Sequence, residues 1–165
     1  MVTWTRGGNH GAFKNPVKQN LPYKRPIWIY VGRIAVEKNI KAFLDLDLEG
    51  TKVIIGKGPD LNNLKKKFPN DIFLGEKTNG ELASHFASSD VFVFPSKTDT
   101  FGIVVLESLN CGTPVAAYPV PGPKDILGGT NIDTLDNDLK ASALKALKVS
   151  RQDCRDFAKK YSWEE

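Results

Sequence analysis

Cysteine and histidine are scarce in this 165-residue sequence, which holds two of each: Cys111 and Cys154, His10 and His85. Two cysteines build no disulfide framework, so a reducing cytoplasm is the expected setting. Neither histidine has a metal-ligand companion at a useful spacing, which disfavours a structural zinc site. Long apolar runs are missing too. No stretch approaches the roughly 20 apolar residues of a membrane span, and the opening residues lack the apolar core of a signal peptide. Charge of one sign does not dominate, since the net charge of +4 is spread along the chain. The one dense run, Lys65-Lys66-Lys67, closes a helix-like segment, where cations complement the helix dipole. Anionic ligands, or peripheral contact with an anionic inner-membrane surface, are compatible with this balance. Basic residues are not interleaved with aromatics, so a nucleic-acid partner is not expected. A complete Gly-x-Gly-x-x-Gly fingerprint is also lacking. Gly56-Lys57-Gly58-Pro59 begins like one, but Leu61 stands where the third glycine belongs, which disfavours a dehydrogenase.

What is present is a regular alternation. The length fits one compact domain, and 41% apolar residues is ordinary for a folded chain. After an irregular leading segment, residues 1–25, the pattern of residues 26–165 predicts a strand at Ile27 to Gly32 and a helix around Lys38 to Leu46. A strand at Lys52 to Gly56 and a helix opened by Pro59, Asp60 to Phe68, come next. Then follow a strand at Ile72 to Gly75, a helix from Gly80 to Ser88 and a strand at Val91 to Phe94. A helix from about Gly102 to Asn110, a strand at Pro114 to Tyr118 and helices near Asp136 to Lys148 and Arg151 to Tyr161 complete the order. Strands apolar on both faces and separated by helices predict an α/β fold with a doubly wound, Rossmann-like parallel sheet. Its ligands bind beyond the carboxyl ends of the strands, so the residues just after each strand are the ones to inspect.

Three such stretches stand out. After the first strand, Gly32-Arg33 and Glu37-Lys38 offer a guanidinium fork and an ammonium suited to phosphate oxygens. The plainer alternative is two solvated surface cations, one paired with Glu37. After the second strand, Gly56 to Pro59 is either a tight turn into a helix or a place where a flat base approaches the backbone. After the fourth strand, Asp99 precedes a helix that begins near Gly102, whose first unpaired N–H groups face the ligand edge. Glu107 follows eight residues later among Val104, Val105, Leu106 and Leu109. That is an unfavourable place for an unpartnered carboxylate, unless it accepts from a ribose diol or faces solvent.

The stretch Asp99-x7-Glu107, with Phe101-Gly102 inside it and Cys111-Gly112-Thr113-Pro114-Val115 closing it, resembles the signature of family 4 retaining glycosyltransferases. Gly32-Arg33, Glu37-Lys38, Gly56-x-Gly58-Pro59 and the closing Tyr161-Ser162-Trp163 match that family as well, so the resemblance runs from about Arg6 to the end. It implies the donor-binding half of a GT-B fold, with the N-terminal acceptor domain missing from this chain. Arg33 and Lys38 would hold the donor's diphosphate, and Glu107 the ribose hydroxyls. Asp99 would contact the transferred sugar, with the N–H groups of Phe101, Gly102 and Ile103. Gly32, the turn Gly56-Gly58-Pro59 and the backbone of Leu74-Gly75 would border the nucleotide.

The activity implied is retaining transfer of a mannose- or glucose-type hexose from UDP or GDP to a lipid or glycan acceptor, without a metal or other cofactor. Asp45-Leu46-Asp47 is expected on the far side of the helix after the first strand, a poor site for a cation at the diphosphate. Two positions depart from the pattern. The first acid is Asp99 rather than Glu, and Asn9 replaces an aspartate in the segment Arg6 to Phe13. Other classes compatible with the motifs are a nucleotide-sugar-binding module without catalysis, and a GT-B phosphorylase or epimerase. Cys111, Cys154 and Trp28 are expected to be packed side chains, and His85 a surface residue.

Overall fold

The computed structural model describes residues 16–98 and 103–163, the side chains of 161–163 excepted. Asp99, Phe101, Gly102 and the segment Arg6 to Phe13 therefore lie outside the described residues. Five parallel strands form one sheet: β1 (Ile27–Val31), β2 (Thr51–Ile55), β3 (Ile72–Gly75), β4 (Val91–Phe94) and β5 (Val115–Ala117). Their spatial order is β3-β2-β1-β4-β5. The order reverses between β1 and β4, so the crevice for a ligand opens there, at the carboxyl ends.

The helices are α1 (Ile40–Leu44), α2 (Leu61–Lys67), α3 (Asn79–Ser88), α4 (Ile103–Asn110), α5 (Pro123–Leu127), α6 (Leu139–Ala146) and α7 (Arg151–Trp163). Strict alternation along the strands divides the core between the two faces of the sheet. Ile27, Ile29, Val53, Ile55, Phe92, Phe94, Val115 and Ala117 meet α3, α4 and α7. Trp28, Tyr30, Ile54, Val91, Val93 and Ala116 meet α1, α2 and α6. Phe92 is wedged edge-on between Phe86 and Phe94, with ring centroids 5.3 and 6.0 Å away. Trp28, Cys111 and Cys154 are buried, as expected, and His85 is half-buried on α3.

Several element ends differ from the periodicity reading. Gly32 leaves the first strand with φ +148°, so β1 stops at Val31. The helix expected from Lys38 is broken into a 3-10 turn, Val36–Lys38, and α1, with Asn39 between them in the left-handed region. The helix expected from Asp136 starts at Leu139, because the Asp138 carboxylate accepts from the N–H groups of Lys140 and Ala141 and caps it. The proline-rich stretch after the last strand, Pro119 to Pro123, runs into α5, a helix the periodicity reading does not include. Pro123 opens it at a first helical position, where its missing N–H costs nothing. The described part of the leading segment is tied to the domain. The N–H of Gln19 donates to Ser88 Oγ at 2.7 Å, Arg25 pairs with Asp90 at 3.0 Å, and Leu21 and Tyr23 pack on the core.

Candidate functional site

Backbone hydrogen bonds zip together the loops that leave β1, β2 and β3. The N–H of Gly32 donates to Ile55 O (3.1 Å), that of Ile34 to Lys57 O (2.9 Å), and that of Gly56 to Gly75 O (2.9 Å). A Cβ on Gly56 would sit 1.9 Å from the Gly32 carbonyl oxygen, and one on Gly58 2.2 Å from that of Ile34. The two glycines are thus required by the neighbouring loop, whatever else lies against them. Sequence reasoning could not separate a ligand's approach from a backbone's; the structure supplies the backbone.

Two adjoining cavities open along this edge, and Val31, Gly32 and Arg33 line both. The larger, about 540 Å³, is bounded by Gly56, Gly58 and Pro59 after β2 and by Glu76, Lys77 and Leu82 beyond β3. The smaller, about 210 Å³, lies at the topological switch and brings Arg33 and Lys38 against Phe94, Ser96 and Val104. The Arg33 backbone is held from beneath, since the Tyr30 hydroxyl donates to its carbonyl at 2.8 Å. Its side chain is 62% exposed and only 4.0 Å from an equally exposed Glu37, a contact too weak to occupy the guanidinium.

Of the residues singled out in the sequence, Gly32, Arg33, Lys38, Gly56, Gly58 and Pro59 converge on these cavities. Leu74 and Gly75 do not line them: Leu74 packs against the core, and Gly75 serves as the acceptor for Gly56. Ile103 is the first residue of α4. Glu107 lines neither cavity, but it lies one turn beyond Val104 on the same side of α4, where residues three apart are neighbours. Sequence reasoning missed Glu76, Lys77 and Ser96, although the strand-end rule that selected Arg33 points to all three.

Glu107 is half-buried on α4 beside Val104, Leu106 and Ser108, and desolvation pushes its carboxyl up to about 7. Its ordinary value is 4.5, so the folded chain holds this proton more tightly than the unfolded one. The resulting destabilisation is absent below pH 4.5, grows between pH 4.5 and 7, and is complete above that. Glu107→Gln should therefore stabilise the free protein by about 2 kcal/mol at pH 8 and by almost nothing at pH 4, the full shift being discounted for residual solvent contact. Urea unfolding at the two pH values measures the difference, and equal gains at both would refute the desolvated carboxylate. Burial also pushes the Cys111 and Cys154 thiols up to about 12, which suits packed side chains and not nucleophiles.

Asp45 is engaged by Lys41 at 2.7 Å, and Asp47 lines a cavity with Pro26 and Trp28 at the opposite edge of the sheet, away from Arg33. Among the described residues no three His, Cys, Asp or Glu side chains gather as metal ligands. No helix among them is long and apolar enough to cross a membrane.

Comparison with known proteins gives three concordant findings. Residues 12–160 match the family model of the glycosyl transferases group 1. The chain is 40% identical over 109 residues to a sulfoquinovosyl transferase of Arabidopsis thaliana, covering 63% of this chain and 21% of that one. It is 35% identical over 132 residues to a GDP-mannose-dependent alpha-mannosyltransferase of Mycobacterium tuberculosis, covering 75% of this chain and 35% of the relative. Among solved structures, the sucrose-phosphate synthase of Thermosynechococcus elongatus superposes with a TM-score of 0.66 at 25% identity, over 85% of this chain and 40% of that one. The chain thus spans about a fifth to two fifths of the length of these three proteins.

Proposed function

The chain belongs to the glycosyl transferases group 1, with the Rossmann-like sheet of the GT-B enzymes, and from that premise we propose that it is the donor-binding half of a retaining hexosyltransferase. Its donor is a UDP- or GDP-hexose of the mannose or glucose type, and its acceptor a lipid or glycan held by a further domain.

One observation carries this reading: Arg33 stands where two cavities meet, one at the switch point with Lys38, the other walled by the glycine turn after β2. The nucleoside fits the larger cavity, whose walls Val31, Ile55, Pro59 and Leu82 are apolar while Glu76 and Lys77 supply polar edges. The diphosphate then falls between Arg33 and Lys38, and the ribose diol is assigned to Glu107. A carboxylate desolvated in the free protein gains two hydrogen-bond donors when that diol arrives. Asp99, Phe101 and Gly102 are assigned to the transferred sugar on the family pattern.

In the reaction the bond between the anomeric carbon and the diphosphate oxygen breaks, and its electron pair stays with the phosphate. The guanidinium and ammonium are fixed beside that oxygen before the charge develops, so they stabilise the transition state without reorganising. With two cations there, the leaving group is neutralised without a metal ion.

Calorimetric titration with UDP, GDP and their glucose and mannose conjugates tests the assignment. Saturable binding of one nucleoside diphosphate, at least ten-fold tighter than the other, is the expected result (about 1.4 kcal/mol). Preference for one sugar conjugate over free diphosphate marks the donor, whereas indifference to the sugar would favour a binding module without catalysis. No binding of any of them at millimolar concentration would end the donor reading.

A further inference from the structure

We propose that Asn39 is a positioning residue that sets the distance between the phosphate-facing cations and the opposite wall of the crevice. The inference rests on the donor reading above and adds to it a residue that contacts no part of the donor.

Asn39 joins the 3-10 turn that ends at Lys38 to α1, with φ 60° and ψ 31°. It is the one described residue other than glycine with positive φ. Asparagine and glycine both suit this conformation, and the asparagine side chain adds a contact that glycine would lack. The amide nitrogen donates to the Pro95 carbonyl at 3.0 Å, across to the exit of β4.

This contact ties the exits of β1 and β4 at the point where the strand order reverses. Pro95 is followed directly by Ser96, which lines the smaller cavity opposite Arg33 and Lys38. Within the turn, short local bonds run from Lys38 N–H to Ala35 O and from Asn39 N–H to Val36 O, both 3.0 Å. Those bonds shape the turn, and the Asn39 side chain adds a bond from it to the exit of β4 that holds the width of the crevice before a ligand arrives. Without that bond part of the ordering of the turn falls to the ligand itself, and that cost is taken from its affinity.

Asn39→Gly separates the two roles of the residue, because glycine retains the left-handed backbone and lacks the amide. Asn39→Asp is the second variant, since it keeps the size and the left-handed preference but removes the donor. Each variant and the wild type are titrated with UDP and GDP by calorimetry, and with uridine and guanosine by NMR. The expected result is a loss of about ten-fold in nucleoside diphosphate affinity in both variants, with nucleoside affinity and thermal midpoint nearly unchanged. Parallel losses for nucleoside and diphosphate would mean a merely structural residue and would overturn the proposal, as would undiminished diphosphate binding. A wild-type chain that binds no nucleoside diphosphate removes the donor reading, and this inference with it.

Discussion

Gly56→Ala and Gly58→Ala should each destabilise the domain by about 3 kcal/mol or more, while Gly80→Ala should change stability by less than about 0.5 kcal/mol. The reason is the packing of backbone on backbone. At Gly56 the added methyl would meet the Gly32 carbonyl oxygen at 1.9 Å, on a residue with φ +145° that side chains rarely adopt. At Gly58 the obstacle is the Ile34 carbonyl group and nitrogen, within 2.7 Å. Neither obstacle is the flexible end of a side chain, so relief requires the β1 and β2 loops to part. Parting breaks the bonds from Gly32 N–H to Ile55 O and from Ile34 N–H to Lys57 O. At Gly80 nothing lies within 4 Å. Chemical denaturation of the three variants checks the contrast. If Gly56→Ala unfolded at the wild-type midpoint, the loop register described here would be wrong. Because these loops also wall both cavities, any folded fraction of the two variants should bind nucleotide poorly.

Arg33→Ala and Lys38→Ala should each lower donor turnover in the intact enzyme by roughly 100-fold, with the fold unaffected. Neither side chain contributes to the core. The ion pair of Arg33 with Glu37 is exposed and long, so its loss costs little stability. On the proposed donor reading, what is lost is charge next to the leaving phosphate, an interaction that strengthens only as the sugar departs. The effect should therefore fall on kcat more than on the donor's KM. Lys41 is the control, because it is as exposed as Arg33 but pairs with Asp45 on α1 and lines neither cavity. Rates within about three-fold of wild type for both Arg33→Ala and Lys38→Ala would remove these residues from the chemistry.

Much of this was legible without coordinates, and the reasons are specific. Ile27 to Val31 and Val91 to Phe94 are apolar on both faces, a pattern that suits only strands covered on both sides. The strand-end rule then led to Arg33, Lys38 and the Gly56 turn, which the structure gathers on one edge. What was not legible shares a cause as well. Gly75 O is the acceptor for Gly56 N–H and Leu74 packs against the core, while Glu76 and Lys77, next in sequence, line the larger cavity. Helix ends slipped wherever a single side chain decided them, as Asp138 does for α6.

The amino-acid order by itself determined the α/β alternation, the covering of the sheet on both faces and the list of residues at strand ends. Periodicity of apolar side chains is a local property, and burial follows from it directly. Only the folded chain decided the strand order, the crevice between β1 and β4, and the reason for the glycines after β2. It also decided the bond that Asn39 makes across the crevice to Pro95, 56 positions away in sequence. Those depend on contacts between segments distant in the chain, whose geometry no local pattern encodes.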